Sequence, residues 1–221
     1  MGDAIELKKK LEAEPQMSDP VDLKVLRGDD NAPPAVVVSS QLRRAIVTGV
    51  VGVWPRLKKN QFEQVKLLSD LQEGSFNVDC VPLSNPGEAP KMTNLDELKE
   101  EGLSDERLGR LFDASLNRGD KPVRWSQKKR GFLRLERFAQ WCFEGLEGHT
   151  IVSVGHSMWF RRFFNCFLPH SSSHKSKDKK MENGAAVAFD LYHLITPNGE
   201  SAYKIEEASI VEVHKGFIGA K

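Results

Sequence analysis

Two stretches of this chain share one pattern: a short β-branched run stops at small or polar residues, and a segment with helical apolar spacing follows. The first is Ala35 to Val38, ending in Ser39 and Ser40 and leading into LRRAIVTGVVGV, where Leu42, Ala45, Ile46, Val50 and Val53 fall on one helical face. Ser40 is placed to cap that helix. The second is Thr150 to Val154, which turns through Gly155, His156 and Ser157 into MWFRRFFNCFL. Runs this rich in β-branched residues, without polar alternation, are strands buried on both faces. Strands alternating with helices then predict an α/β fold, a three-layer sandwich with a mainly parallel sheet.

Around these units the reading is coarser. Residues 3–14 are expected to be helical, and residues 15–34, rich in Pro, Asp, Asn and Gly, a connector with little core content. Residues 1–34 thus precede a main domain at 35–221. Residues 74–93 form a long loop, of a length usually tied to function. Thr93 and Ser104 are expected to cap helices over 94–101 and 104–117. A helix at 129–146 presents Phe132, Leu135, Phe138, Ala139, Cys142 and Leu146 on one face. Residues 169–183 form a polar loop, and 185–195 and 202–213 are strand-like, joined by the turn TPNGES. Trp141, Trp159, Phe160, Phe163 and Phe164 are assigned to the core.

Composition removes several function classes. With 32 basic and 31 acidic side chains the formal net charge is +1, so no global field favours nucleic acid or an anionic membrane. The lysine-rich run at 174–180 is read as a solvated loop. Three cysteines, Cys80, Cys142 and Cys166, suit a reducing compartment better than a disulfide framework. The opening MGDAIELKKKLEAE lacks the apolar core of a secretory signal, and no run approaches the ~20 apolar residues that span a bilayer. A soluble, cytoplasmic protein is expected, with no metal site and no cofactor.

The chemistry is expected where the two strands end. In open α/β sheets ligands bind at the carboxyl ends of strands, and helix N-termini there present free N–H groups to an anion. The first turn adds Arg43 and Arg44, and the second adds His156. A guanidinium beside an imidazole suits phosphate, whose oxygens the guanidinium grips in pairs.

These residues carry a resemblance to the histidine phosphatase superfamily, the phosphoglycerate-mutase-like proteins. Ser40-Gln-Leu-Arg-Arg-Ala-Ile-Val-Thr48 resembles the family's S-x-L-x-R-A-x-x-T element. Val152 to Arg161 resembles its V-x-V-x-G-H-x-x-x-x-R element. Leu71-Gln-Glu73 stands where the family has L-x-E, and Glu182 to Val187, with Asn183, resembles its late N-x-x-V strand. The resemblance implies that Arg44 and His156 bind the phosphoryl group and that Glu73 protonates the leaving oxygen, with Asp70 or Asp79 as substitutes for Glu73. Ser40, Arg43, Arg161 and Asn183 would support them. The ligand would be a phosphorylated small molecule or a phosphoprotein.

The family's R-H-G element, whose histidine attacks phosphorus, has no counterpart here: the first histidine is His149. His149 and His156 flank a strand of roughly 17 Å, too far apart to share one pocket. The resemblance therefore implies a first strand missing from the sheet, unpaired backbone where it would lie, and no covalent turnover by the chain as given. A truncated chain and a non-catalytic phospho-ligand-binding protein are the two readings of that gap. A rival class is a serine esterase. Gly155-His-Ser157 falls one glycine short of a nucleophile elbow, and Ser157, Asp190 and His214 follow in the required order.

Overall fold

A computed structural model of the chain describes residues 1–74, 77–93, 95–119, 128–146 and 148–218. Helix α1 (Gly2–Glu12) and helix α2 (Val21–Arg27) precede strand β1 (Ala35–Ser39), helix α3 (Arg43–Gly52) and helix α4 (Trp54–Lys59). Strand β2 (Val65–Leu67), short helices α5 (Asp96–Glu100) and α6 (Asp105–Arg110), and strand β3 (Phe112–Asp113) follow. Helix α7 (Lys128–Trp141), strand β4 (Thr150–Val154) and helix α8 (Ser157–Phe167) form the second half of the core. Strands β5 (Ala186–Ala188), β6 (Leu191–Ile195), β7 (Ser201–Ile205) and β8 (Val211–His214) close the chain.

The fold is α/β, built on a four-stranded parallel sheet of order β3-β2-β1-β4. Strands β5 and β8 form an antiparallel pair, as do β6 and β7. Alternation along the strands sends residues to two cores. Val37 and Val152 join α1 to α4 on one face, while Val38 and Ile151 face the aromatic side chains of α7 and α8 on the other. Helix α3 lies close on β4: a Cβ at Gly49 would meet a methyl of Val154 at 3.0 Å. Among the described residues, no helix is long and apolar enough to cross a membrane.

Several local expectations change. The 15–34 segment is not poor in core residues, since α2 buries Leu23 and Val25. Helix α3 starts at Arg43, not at Ser40, because the Ser40 hydroxyl is turned to the Leu42 N–H and to His156. Leu95, not Thr93, precedes α5, without a side-chain cap. Ser104 does cap α6, accepting from Arg107 N–H at 3.1 Å, but that helix stops at Arg110 so that Phe112 can pair with Val65. Phe132 is exposed on α7. The strand-like stretches at 185–195 and 202–213 each split in two, β5/β6 and β7/β8, through Phe189-Asp190 and a short helical turn at Glu207–Ser209.

Candidate active site

The register of β1 on β4 builds the site. The strands pair from Ala35↔Thr150 to Ser39↔Val154, and Ser40 N–H extends the ladder to the Val154 carbonyl at 2.9 Å. Both strands therefore end at the same level, and the turns at Ser40 and Gly155-His156 emerge side by side. A side chain at Gly155 would meet the Phe160 ring at 3.3 Å, so this glycine keeps the second turn tight.

His156 is buried, and its Nε2 lies 3.0 Å from the Ser40 hydroxyl. Its Nδ1 lies 3.8 Å from a carboxylate oxygen of Glu73. Arg44, in the first turn of α3, brings Nη2 to 3.9 Å from the same Glu73 oxygen. The arginine also meets the Asp79 carboxylate at 3.1 Å and the Cys80 sulfur at 3.6 Å. Thr48 donates back to the Arg44 carbonyl at 2.9 Å, within the helix. Arg44, Glu73, His156 and Asn183 all line one elongated cavity of about 1220 Å³.

The remaining expected residues are placed differently. Arg43 and Arg161 lie outside that cavity wall, each with a buried Nε lacking a hydrogen-bond partner. Asp70 is committed elsewhere, to Arg118 at 2.7 Å and Arg137 at 3.2 Å, so it does not replace Glu73. Asp79 neutralises Arg44 from an exposed position on the long loop. His149 lines the same cavity as His156, which corrects the expectation of separate pockets, but it sits at the other end of β4. Ser157 and Asp190 also reach the cavity, yet no hydrogen bond joins either to His214, which lies at the end of β8.

A buried amide network supports the arrangement and had no signal in the sequence pattern. Gln41 donates to the Gln72 side chain at 3.3 Å, Ser69 donates to Gln41, and Gln72 donates to the Cys80 carbonyl at 2.8 Å. These contacts tie the first turn of the Arg44 segment to the loop that carries Glu73 and Asp79. Only burial distinguishes the two glutamines from surface ones.

Electrostatics divide the labour. Burial, reinforced by the Arg44 charge, pushes His156 down from 6.5 to about 3, so the ring is neutral near neutral pH. Burial raises the Glu73 carboxyl above its usual range; Arg44 works against that, Asp79 with it. Of Arg44 and His156, Arg44 therefore carries the positive charge, while Glu73 holds its proton to higher pH than a solvated glutamate. Hydroxyl, imidazole and carboxylate stand in the order of a nucleophilic relay, but Ser40 has 0 % exposure and its hydroxyl is engaged with the ring, closed off from a substrate.

One tautomer of the ring uses every polar group at this junction. Leu42 N–H donates to the Ser40 oxygen at 3.3 Å; with the hydroxyl proton given to Nε2, the ring proton stands on Nδ1, facing Glu73. NMR of the His156 ring nitrogens is expected to show Nδ1–H in the parent, a shift toward Nε2–H in Ser40→Ala, and recovery in Ser40→Thr. The same titration carries a stability consequence. The unfolded ring protonates near 6.5 and the folded ring only near 3, so between these values the unfolded state binds more protons. Stability is expected to fall as pH drops through that window. Glu73, raised in the folded state, has the opposite sign: its contribution is present below 4.5 and lost as pH rises through its folded value. A His156→Asn variant should flatten the decline in urea-unfolding free energy between pH 6.5 and 3.

No protein-family model, curated protein or solved structure matches the chain.

Proposed function

We propose that the cleft of Arg44, Glu73 and His156 binds a phosphoryl group, and that the chain is histidine-phosphatase-like, of the phosphomonoester hydrolase and phosphoglycerate mutase type. The three-layer, phosphoglycerate-mutase-like arrangement belongs to the same proposal. One observation carries it: a cation, a neutral imidazole and a carboxyl raised above its usual range, from three separate segments, meet within 4 Å steps. Arg44 supplies the charge that pairs with phosphate oxygens, and Nδ1–H of His156 supplies a directed donor. Glu73 is suited to hand a proton to a leaving oxygen. An incoming dianion displaces Asp79 from Arg44, which its exposed position on the loop permits.

As given, the chain binds and polarises but does not turn over. Phosphoryl transfer needs an attacking atom in line with the leaving oxygen. Among the described residues, the other five histidines bring no ring to Arg44, and the Ser40 hydroxyl is enclosed. The ligand class is a phosphorylated small molecule or phosphoprotein.

Calorimetry with phenyl phosphate tests this. Saturable one-to-one binding without phenol release is expected, unchanged in Ser157→Ala. Absence of binding would remove the phosphate reading. Turnover lost in His156→Ala would remove the claim of inactivity, and esterase activity lost in Ser157→Ala would install the rival.

A further inference from the structure

The cavity extends well beyond the phosphate cleft. One wall is the continuous stretch Thr150 to Gly155, and another is Asn183 to Tyr192. Gly49 and Gly52 of α3 line it on one side, and Phe160, Phe163 and Phe164 of α8 on the other. The two walls run in opposite directions. Lys180, just before the second wall, acts on Glu73 at the carboxyl end of β4, whereas His193, just after it, packs on Phe143, upstream of β4.

The first wall presents a strand edge. Thr150 N–H bonds to Pro34, and the Val154 carbonyl accepts from Ser40, so even-numbered residues of β4 face β1. Alternation in a parallel ladder sends the N–H and C=O of Ile151 and Ser153 the other way, into the cavity. Among the described residues, no strand pairs with that edge of β4, and β5 pairs only with β8. Helices cover the gap from above and below. Beside β4 there is thus an unpaired edge, side chains of α3 and α8 to either side, and space in front of it.

Such a space selects its occupant. A strand covered on both faces needs a near-continuous apolar run, and five residues at ~3.3 Å each match the length of β4. The cavity wall also carries Asp22 and Asp190, close enough for the charge of Asp190 to act on Asp22. That carboxylate pair favours a basic residue beside the run. A second copy of this chain has little to offer: its run at 35–39 is paired on both edges, and its run at 150–154 is fixed to β1 between its own α3 and α8, so neither is free to enter the cavity of another copy.

We propose that the cavity is a strand-acceptor site. It takes an extended apolar segment of a separate polypeptide, which pairs with the free edge of β4 and places a basic residue against Asp22 and Asp190.

A labelled probe of two lysines, five alternating valines and isoleucines and two serines tests this on the full chain. Fluorescence anisotropy is expected to show one-to-one binding, with amide exchange at Ile151 and Ser153 slowed at least tenfold. A proline at the centre of the probe should weaken binding at least tenfold. Ser153→Pro should do the same while sparing the bonds to β1. Asp190→Lys should weaken the lysine probe and leave a serine-headed one unchanged. Failure to bind, equal binding of the proline probe, or binding without protection at Ile151 and Ser153 would overturn the proposal. Protection at those amides on self-association, without probe, would assign the site to a second copy and overturn it equally.

Discussion

Replacing Arg44 by alanine is expected to weaken phosphate-ester binding by about 10- to 150-fold, the equivalent of roughly 1.5–3 kcal/mol for a charge-assisted hydrogen-bond pair. Arg44 is the positive group that lines the cleft beside His156, which is itself neutral near neutral pH. The variant carries a signature that simple loss of fold would not. Arg44 holds both the His156 ring and the Glu73 carboxyl lower than burial alone would, so both should titrate at higher pH without it. Calorimetry and NMR titration on one sample check the two together. Weakened binding with unmoved titrations would place the arginine's effect outside the cleft. Unchanged affinity would remove Arg44 from the ligand.

The parts of this site legible in the sequence are those written in strand-to-helix turns. Val38-Ser39-Ser40 and Val154-Gly155-His156 are recognisable because β-branched runs end where helical spacing begins. That they lie adjacent depends on β1 and β4 pairing in register, which neither segment encodes alone. Strands β2 and β3 escaped notice because they span three and two residues, too few for any period to show. The connector's core content was hidden for a related reason: α2 has seven residues, and its Leu23 and Val25 sit among turn-forming neighbours. Glu73 was found only through the resemblance. What places it against His156 is the Gln41–Gln72 network and a tryptophan hydrogen bond, contacts between positions far apart in the chain.

That tryptophan links stability to the site, and its removal should have the largest effect on folding. Trp159 has 0 % exposure, stacks on Phe163 with centroids 5.1 Å apart, and meets the edge of Phe138 at 5.2 Å. Trp159→Ala is expected to cost about 3–5 kcal/mol through lost burial and an unfilled cavity. That is a large share of the roughly 5–15 kcal/mol that holds an ordinary domain together, and urea unfolding would show it. Trp159→Phe separates packing from positioning. It keeps an aromatic ring but leaves the Asp70 carbonyl without the indole N–H now 2.8 Å away, a buried acceptor worth about 1–3 kcal/mol. Asp70 lies three residues before Glu73, so loosening it also frees the carboxyl from His156 and Arg44. Phe167→Leu is the control: Phe167 packs in the same core but lies outside the cavity wall, and the change should cost about 1 kcal/mol. Phosphate affinity should fall in Trp159→Phe and hold in Phe167→Leu. Equal affinity in both would mean that the indole stabilises the core without placing Glu73.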